Sequence, residues 1–281
     1  MTTPRIIAIC SQKGGVAKTT TCLNLGVELG ALGQRVLLVD MDPQGHLAEG
    51  FGIIADDLPR DISWVLSDHG EVQLDDILLQ VDENVWLAPS NIFLADLELD
   101  MVSMVRREDR LKMALEPMRA RFDFILIDCP PSLGLLTVNA FSAADEVVVP
   151  MATEFYSLLG LARLSNSILR MRRVLNPRLS ITGIIPTRRK RTRHATEVIE
   201  RAKMDFPDVP VYAPAVPEMV VVADSSAAGK SLLAFAPDSK PRLAYATIAK
   251  ELLNGPEQAI PDHEPARSEG RIVRFDRGTG S

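Results

Sequence analysis

Short runs of Ile, Leu and Val alternate along the chain with longer segments of helical length. The runs lie at residues 5–10, 35–39, 85–88, 124–127, 146–150 and 181–185. Several are apolar at consecutive positions, which is typical of strands buried on both faces of a parallel sheet. The helical segments lie at about 19–32, 95–120, 133–142, 156–175, 194–205 and 241–254. This repetition predicts an α/β fold with a doubly wound, mostly parallel sheet flanked by helices.

Composition supports a globular protein with a substantial core. Apolar residues make up 46% and charged residues 24% of the 281 positions, which excludes disordered and collagen-like proteins. The three cysteines form no disulfide framework, and no stretch approaches the roughly 18–20 apolar residues of a membrane span. We therefore expect a cytoplasmic protein with one domain over residues 1–254, an acidic, loop-like insertion at 56–83 and a disordered tail at 255–281.

The sequence KGGVAKTT, which begins at Lys13, lies between the first predicted strand and the first predicted helix. Glycines allow backbone N–H groups to close around a phosphate, and a helix N-terminus adds unpaired N–H groups and a favourable dipole. Lys18 and Thr19 match the lysine and hydroxyl of the pattern GxxxxGK[ST], which bind phosphates and Mg²⁺. Gln12 and Ala17 replace the glycines of that pattern. The predicted phosphate-binding loop comprises Lys13, Gly14, Gly15, Val16, Ala17, Lys18, Thr19 and Thr20.

Two further segments place carboxylates directly after apolar strands. Asp40 and Asp42 belong to the sequence DMDPQG, and Asp128 ends the run FILID before two prolines. The carboxyl ends of parallel strands meet at one edge of an open α/β sheet, where ligands bind. An aspartate in such a position also occurs as a simple turn residue. Each segment alone is therefore a weak sign of a ligand site, and the three segments in this order along the chain are a more specific one.

In this order, the three segments resemble motifs of the ParA/MinD family of ATPases. They match the deviant Walker A motif KGGxxK[ST], the switch I sequence DxDPQG and the Walker B strand. The resemblance is specific over residues 13–132 and continues weakly to about residue 254. It implies a P-loop NTPase-like fold, ATP and Mg²⁺ as cofactors, and a homodimer that sandwiches the nucleotides.

The resemblance also implies roles for individual residues. Lys13 would cross the dimer to the partner's phosphates, Asp42 would position the attacking water, and Lys18 would act with them in slow, partner-stimulated hydrolysis of ATP. Thr19, Asp128 and Asp40 would form or support the Mg²⁺ site. Strand position predicts adenine contacts at Thr187 and Pro217.

Charge is distributed unevenly along the chain. The net charge of −6 argues against nucleic-acid binding, yet residues 155–196 contain no Asp or Glu. Clustered basic residues without interleaved aromatic residues favour contacts with DNA phosphates. A solvated helix face, a site for an acidic partner and a contact to the nucleotide are the alternatives. The candidate DNA contacts are Arg170, Arg172, Arg173, Arg188, Arg189, Lys190, Arg191 and Arg193.

One departure from the family concerns DNA binding. Many members carry arginines in a segment such as PRNVRLSEA, whereas the corresponding residues 214–223 contain neither Arg nor Lys. DNA contacts would therefore depend on the basic residues between positions 163 and 193.

The expected function is an ATP-dependent dimerising switch that binds non-specific DNA in its ATP state. It would drive plasmid or chromosome partition with a centromere-binding adaptor of the ParB type, and would associate with the nucleoid when ATP-bound. A ParA-like positioner of a protein cargo and a MinD-like membrane-associated ATPase are the alternatives. The segment 270–278 lacks the pattern of a membrane-binding basic amphipathic helix, so we expect no membrane partner. A metabolic P-loop enzyme would need an acceptor pocket, for which the sequence offers no residues.

Overall fold

A computed structural model describes residues 4–68 and 72–254. Within them, one sheet contains β1 (Arg5–Ile9), β2 (Val36–Asp40), β3 (Leu79–Asp82), β4 (Val85–Ala88), β5 (Phe124–Asp128), β6 (Glu146–Ala152) and β7 (Ser180–Thr187). The strand order is β3-β4-β2-β5-β1-β6-β7, and every neighbouring pair is parallel except β3 with β4. The prediction of a doubly wound, mostly parallel sheet is confirmed. The predicted tail 255–281, with its segment 270–278, lies outside the described residues.

Helices cover both faces of this sheet. They are α1 (Lys18–Ala31), α2 (His46–Glu49), α3 (Ile62–Leu66), α4 (Phe93–Asp100), α5 (Arg110–Leu115), α6 (Leu135–Ala143), α7 (Phe155–Val174), α8 (Arg193–Asp205), α9 (Val220–Ala227), α10 (Leu232–Phe235) and α11 (Lys240–Asn254). Successive β1 side chains pack into different hydrophobic clusters. Ile6 and Ala8 belong to one cluster, and Ile7 and Ile9 belong to the other. None of the described helices combines the length and apolar character that a membrane span requires.

Two sequence predictions are wrong in detail. The helix predicted over about 95–120 is interrupted, because α4 ends at Asp100 and α5 begins only at Arg110. Arg106 between them has a φ of 54°, which an α-helix cannot contain, and Pro117 lies in a 3₁₀ turn after α5. The insertion at 56–83 is not only loop, since it contains α3 and the antiparallel edge strand β3.

Gly183 in β7 provides a test of core packing. A Cβ at this position would lie 2.2 Å from the ring of Tyr212, whose side chain is itself buried. Because so short a contact would force the buried ring or the strand to shift, Gly183→Ala should lower the free energy of unfolding by about 1–3 kcal/mol. Urea denaturation followed by circular dichroism measures the effect. Gly14→Ala serves as the control, since nothing lies within 4 Å of a Cβ there; equal stability of wild type and Gly183→Ala would contradict the packing described.

Candidate functional site

The phosphate-binding loop predicted from KGGVAKTT connects β1 to α1. Gly15 and Ala17 both have positive φ, 71° and 66°. Ala17 therefore adopts the left-handed conformation for which the usual pattern supplies glycine, at a cost of roughly 1 kcal/mol. The Thr187 hydroxyl donates a hydrogen bond to the Val16 carbonyl oxygen (2.9 Å), which holds the loop against the end of β7. No side chain caps the N-terminus of α1, so this helix end faces the loop with unpaired N–H groups.

Lys18 and Thr19 lie beside the buried carboxylate of Asp128. Lys18 is 8% exposed and Asp128 only 1%. Burial raises the pKa of Asp128 to about 7, while the Thr19 hydroxyl and the Lys18 ammonium group act in the opposite direction. Neither Asp128 carboxylate oxygen accepts a hydrogen bond of normal geometry from the described part of the chain. Both oxygens of this buried carboxylate are therefore available to bind a ligand.

Asp40 organises the turn that carries Asp42. It is fully buried, and its two carboxylate oxygens accept hydrogen bonds from the backbone N–H groups of Asp42 (2.9 Å) and Leu47 (3.2 Å). Ser90 donates a hydrogen bond to the Asp42 carbonyl oxygen (2.5 Å) and fixes the turn from a second side. Asp42 itself is only partly buried and faces the adjacent cavity. The structure thus buries Asp40 as a hydrogen-bond acceptor within the turn and places Asp42 at the cavity.

The arrangement fits a divalent cation. Asp40 and Asp128 are register neighbours on β2 and β5, and burial followed by mutual repulsion raises the pKa of Asp40 well above its usual range. A cation would relieve that repulsion. No cluster of three His, Cys, Asp or Glu side chains within residues 4–68 and 72–254 has metal-binding geometry. Magnesium normally takes one or two protein ligands together with water and phosphate oxygens, which agrees with this small set.

Two cavities meet at the phosphate-binding loop. The larger, of about 680 Å³, is lined by loop residues, by the Asp42 turn and by Pro130, Pro131 and Ser132 after β5. The smaller, of about 340 Å³, is lined by Gly15, Ala17 and Thr20 on one side and by the 216–219 segment on the other. Thr187 and Pro217, the two residues predicted from strand position, both line this smaller cavity. Both cavities therefore border the phosphate-binding loop, one on the side of the Asp42 turn and one on the side of the 216–219 segment.

Lys13 does not point into either cavity. Its ammonium group forms an ion pair with Glu154, the residue that precedes α7, and this pair lowers the pKa of Glu154. The Lys13 side chain is 36% exposed, so it lies at the rim of the site. Glu154 was not predicted from the sequence, because it is 141 positions from Lys13.

The basic side chains predicted to contact DNA do not form one patch. Arg188, Arg189, Lys190, Arg191 and Arg193 are exposed at the carboxyl end of β7, near the phosphate-binding loop.

Arg170, Arg172 and Arg173 lie near the far end of α7, whose rise of 1.5 Å per residue places Arg170 roughly 23 Å from Phe155. This end of α7 lies at the amino ends of β6 and β7, where Asp145 and Arg178, just before these strands, form an ion pair (3.1 Å). The basic residues between positions 170 and 193 are close in sequence but do not form one continuous surface.

Comparisons with known proteins agree with this geometry. A family model described as an AAA domain matches residues 4–181. Soj, the sporulation initiation inhibitor of Bacillus subtilis, is 43% identical over 249 residues, which cover 88% of this chain and 98% of Soj. The chromosome partitioning protein ParA of Caulobacter vibrioides is 39% identical over 89% of this chain and 94% of its own length.

A crystal structure from Mycobacterium smegmatis, described as cobyrinic acid a,c-diamide synthase with bound ADP and magnesium, is 37% identical. It has a TM-score of 0.78 and matches 89% of this chain and 94% of its own. Together with the loop, the buried aspartates and the strand order, these similarities show that the chain belongs to the ParA and Soj family of P-loop ATPases.

Proposed function

We propose that this protein is a Mg²⁺-dependent ATPase switch that dimerises with ATP and binds non-specific DNA in that state. With a ParB-type adaptor it drives plasmid or chromosome partition, in the cytoplasm and on the nucleoid. The observation that carries the proposal is that the lysine-containing loop and Asp42 line one cavity, while the buried Asp128 lies directly behind that loop, beside Lys18 and Thr19. The similarity to Soj and ParA supports the partition role.

Each part of the site has a defined task in this proposal. The backbone N–H groups of residues 14–20 and the Lys18 ammonium group hold the phosphates. Asp42, fixed by the Asp40 and Ser90 hydrogen bonds, orients the water at the rim of the larger cavity. Thr19 and Asp128 would hold Mg²⁺, which would supply charge neutralisation for the phosphates. Lys13 acts on the phosphates of the partner protomer.

An amide-forming activity, suggested by the name of the Mycobacterium smegmatis neighbour, is less well supported. Amide synthesis that takes ammonia from glutamine through a cysteine requires an accessible, readily ionised thiol. Cys10, Cys22 and Cys129 are all buried, and burial raises the pKa of Cys22 well above its usual range. The chain therefore offers no thiol suited to that role.

The DNA-binding part of the proposal predicts the effect of charge reversal in the loop after β7. Arg189, Arg191 and Arg193 are exposed, and none forms an ion pair within the described ranges. Replacing all three with Glu should abolish ATP-dependent retardation of DNA, because three attractive phosphate contacts become repulsive. ATP-dependent dimerisation, measured by light scattering, should persist. Unchanged DNA retardation would exclude this loop as the DNA contact.

A further inference from the structure

Arg188 differs from the neighbouring basic residues because its guanidinium group is engaged on two sides. Nη1 donates a hydrogen bond to the Gly15 carbonyl oxygen in the phosphate-binding loop (2.9 Å). Nε and Nη2 donate to Oε1 of Glu218, at 3.0 and 2.8 Å. Arg188 thus connects the phosphate-binding loop to the segment that precedes α9.

The backbone holds Arg188 and Glu218 in this relation. The Arg189 N–H donates to the Val216 carbonyl oxygen (3.0 Å), and the Glu218 N–H donates to the Arg189 carbonyl oxygen (3.2 Å). Arg188 itself has a φ of 48°, a conformation that residues other than glycine rarely adopt. Such backbone conformations persist only where the surroundings enforce them, and they concentrate at functional sites.

The connection forms part of the wall of the smaller cavity. Arg188 and Glu218 both line it, together with Gly15, Thr187 and Pro217. A ligand that extends from the phosphate-binding loop into this cavity would lie between the two segments that Arg188 joins. Losing the connection would remove the direct side-chain link between the Glu218 side of the cavity and the phosphate-binding loop, and would leave only the backbone contacts to the end of β7.

The charge of Arg188 is also neutralised locally. Glu218 accepts its hydrogen bonds and lies 3.4 Å from Lys190 as well, and the Arg188 side chain is the main reason that the pKa of Glu218 is lowered. A guanidinium group already paired with a carboxylate gains less from a DNA phosphate than a free one does. Arg191, three positions further along the chain, has no such carboxylate within residues 4–68 and 72–254.

We infer that Arg188, paired with Glu218, is a positioning residue for the base and sugar of the bound nucleotide and is not a DNA phosphate contact. This inference rests on the proposed binding of ATP at the two cavities. It reassigns Arg188 from the predicted DNA contacts to the nucleotide site, and it gives the carboxylate of Glu218 a role in a segment where many family members carry arginine.

A double-mutant cycle on nucleotide binding tests the inference. Arg188→Ala and Glu218→Ala should each raise the Kd for Mg²⁺–ATP and Mg²⁺–ADP roughly tenfold, because a charge-assisted hydrogen-bond pair is lost. The double variant should be no weaker than the weaker single variant, since both remove the same connection. Arg201→Ala breaks a comparable exposed pair with Asp205 on α8 (3.0 Å) and should leave both Kd values unchanged. Isothermal titration calorimetry measures all four variants, and Arg188→Lys and Glu218→Gln replace any that fail to fold.

A DNA-binding measurement distinguishes a basic residue that positions the nucleotide from one that contacts a DNA phosphate. With a non-hydrolysable ATP analogue at saturation, Arg191→Ala should reduce the slope of log K against log salt by about 1, and Arg188→Ala should leave it unchanged. Wild-type nucleotide affinity in Arg188→Ala, or additive losses in the double variant, would overturn the inference. A wild-type protein that binds neither nucleotide would refute the proposed function itself, whereas normal wild-type binding with an unaffected Arg188→Ala refutes only the inference.

Discussion

Replacing Lys18 with Gln should abolish ATP hydrolysis and weaken Mg²⁺–ATP binding by roughly 100-fold, or about 2.7 kcal/mol. Lys18 is the nearly buried cation of the phosphate-binding loop, at the N-terminus of α1 and beside Asp128. Its removal takes away a charge-assisted contact to the phosphates in a poorly hydrated site, where such contacts are strongest. Glutamine retains much of the side-chain length, so the loss measures charge more than packing.

Calorimetric titration and phosphate-release assays measure these two effects of Lys18→Gln. Lys203→Gln provides a control, because Lys203 is an exposed lysine on α8 that pairs with Glu200 (2.9 Å). The control should bind and hydrolyse ATP as the wild type does. Wild-type nucleotide affinity in Lys18→Gln would show that the loop is not the phosphate site.

Replacing Lys13 with Ala should abolish ATP-induced dimers while leaving nucleotide binding within about threefold of wild type. The reason is geometric: Lys13 lines neither cavity of its own protomer, and its ammonium group lies at the rim on Glu154. The Lys13–Glu154 pair is exposed, and such pairs contribute only about 0–1 kcal/mol to stability. The variant should therefore fold normally.

Glu154→Gln is the matched control for the Lys13 experiment. It removes the same ion pair but keeps the lysine, so ATP-induced dimers should form at least as readily as in wild type. Multi-angle light scattering with a non-hydrolysable ATP analogue measures the dimer fraction. Dimers of normal stability in Lys13→Ala would contradict the proposed dimer, in which the two protomers enclose the nucleotides.

The sequence was sufficient to predict the central strands of the fold. Strands such as β2 and β5 are continuous apolar runs that end in Asp40 and Asp128, so burial on both faces and the position of the carboxylates could be inferred together. The edge strand β3 was missed because its four residues, LQVD, carry no apolar run and gain their pairing only from β4. Helix α9 was missed because it begins with three valines, which favour strands.

The parts of the candidate site whose residues are close together in the sequence were predictable. The loop beginning at Lys13 and the Asp42 turn are local motifs, and the structure places them around one cavity. The partners Glu154 and Glu218 were not predictable, because they reach Lys13 and Arg188 only through the fold, across 141 and 30 positions. The split of the basic residues between two sheet edges has the same cause: α7 carries the chain across the sheet.

The proposed ATP-dependent switch is best tested by the DNA affinity of the wild-type protein in its apo, ADP and ATP-analogue states, measured over a salt titration. Tight binding is expected only with the ATP analogue and Mg²⁺, with log K falling linearly as log salt rises. Binding of equal strength in all three states, or no binding in the ATP state at low salt, would contradict an ATP-dependent switch on DNA.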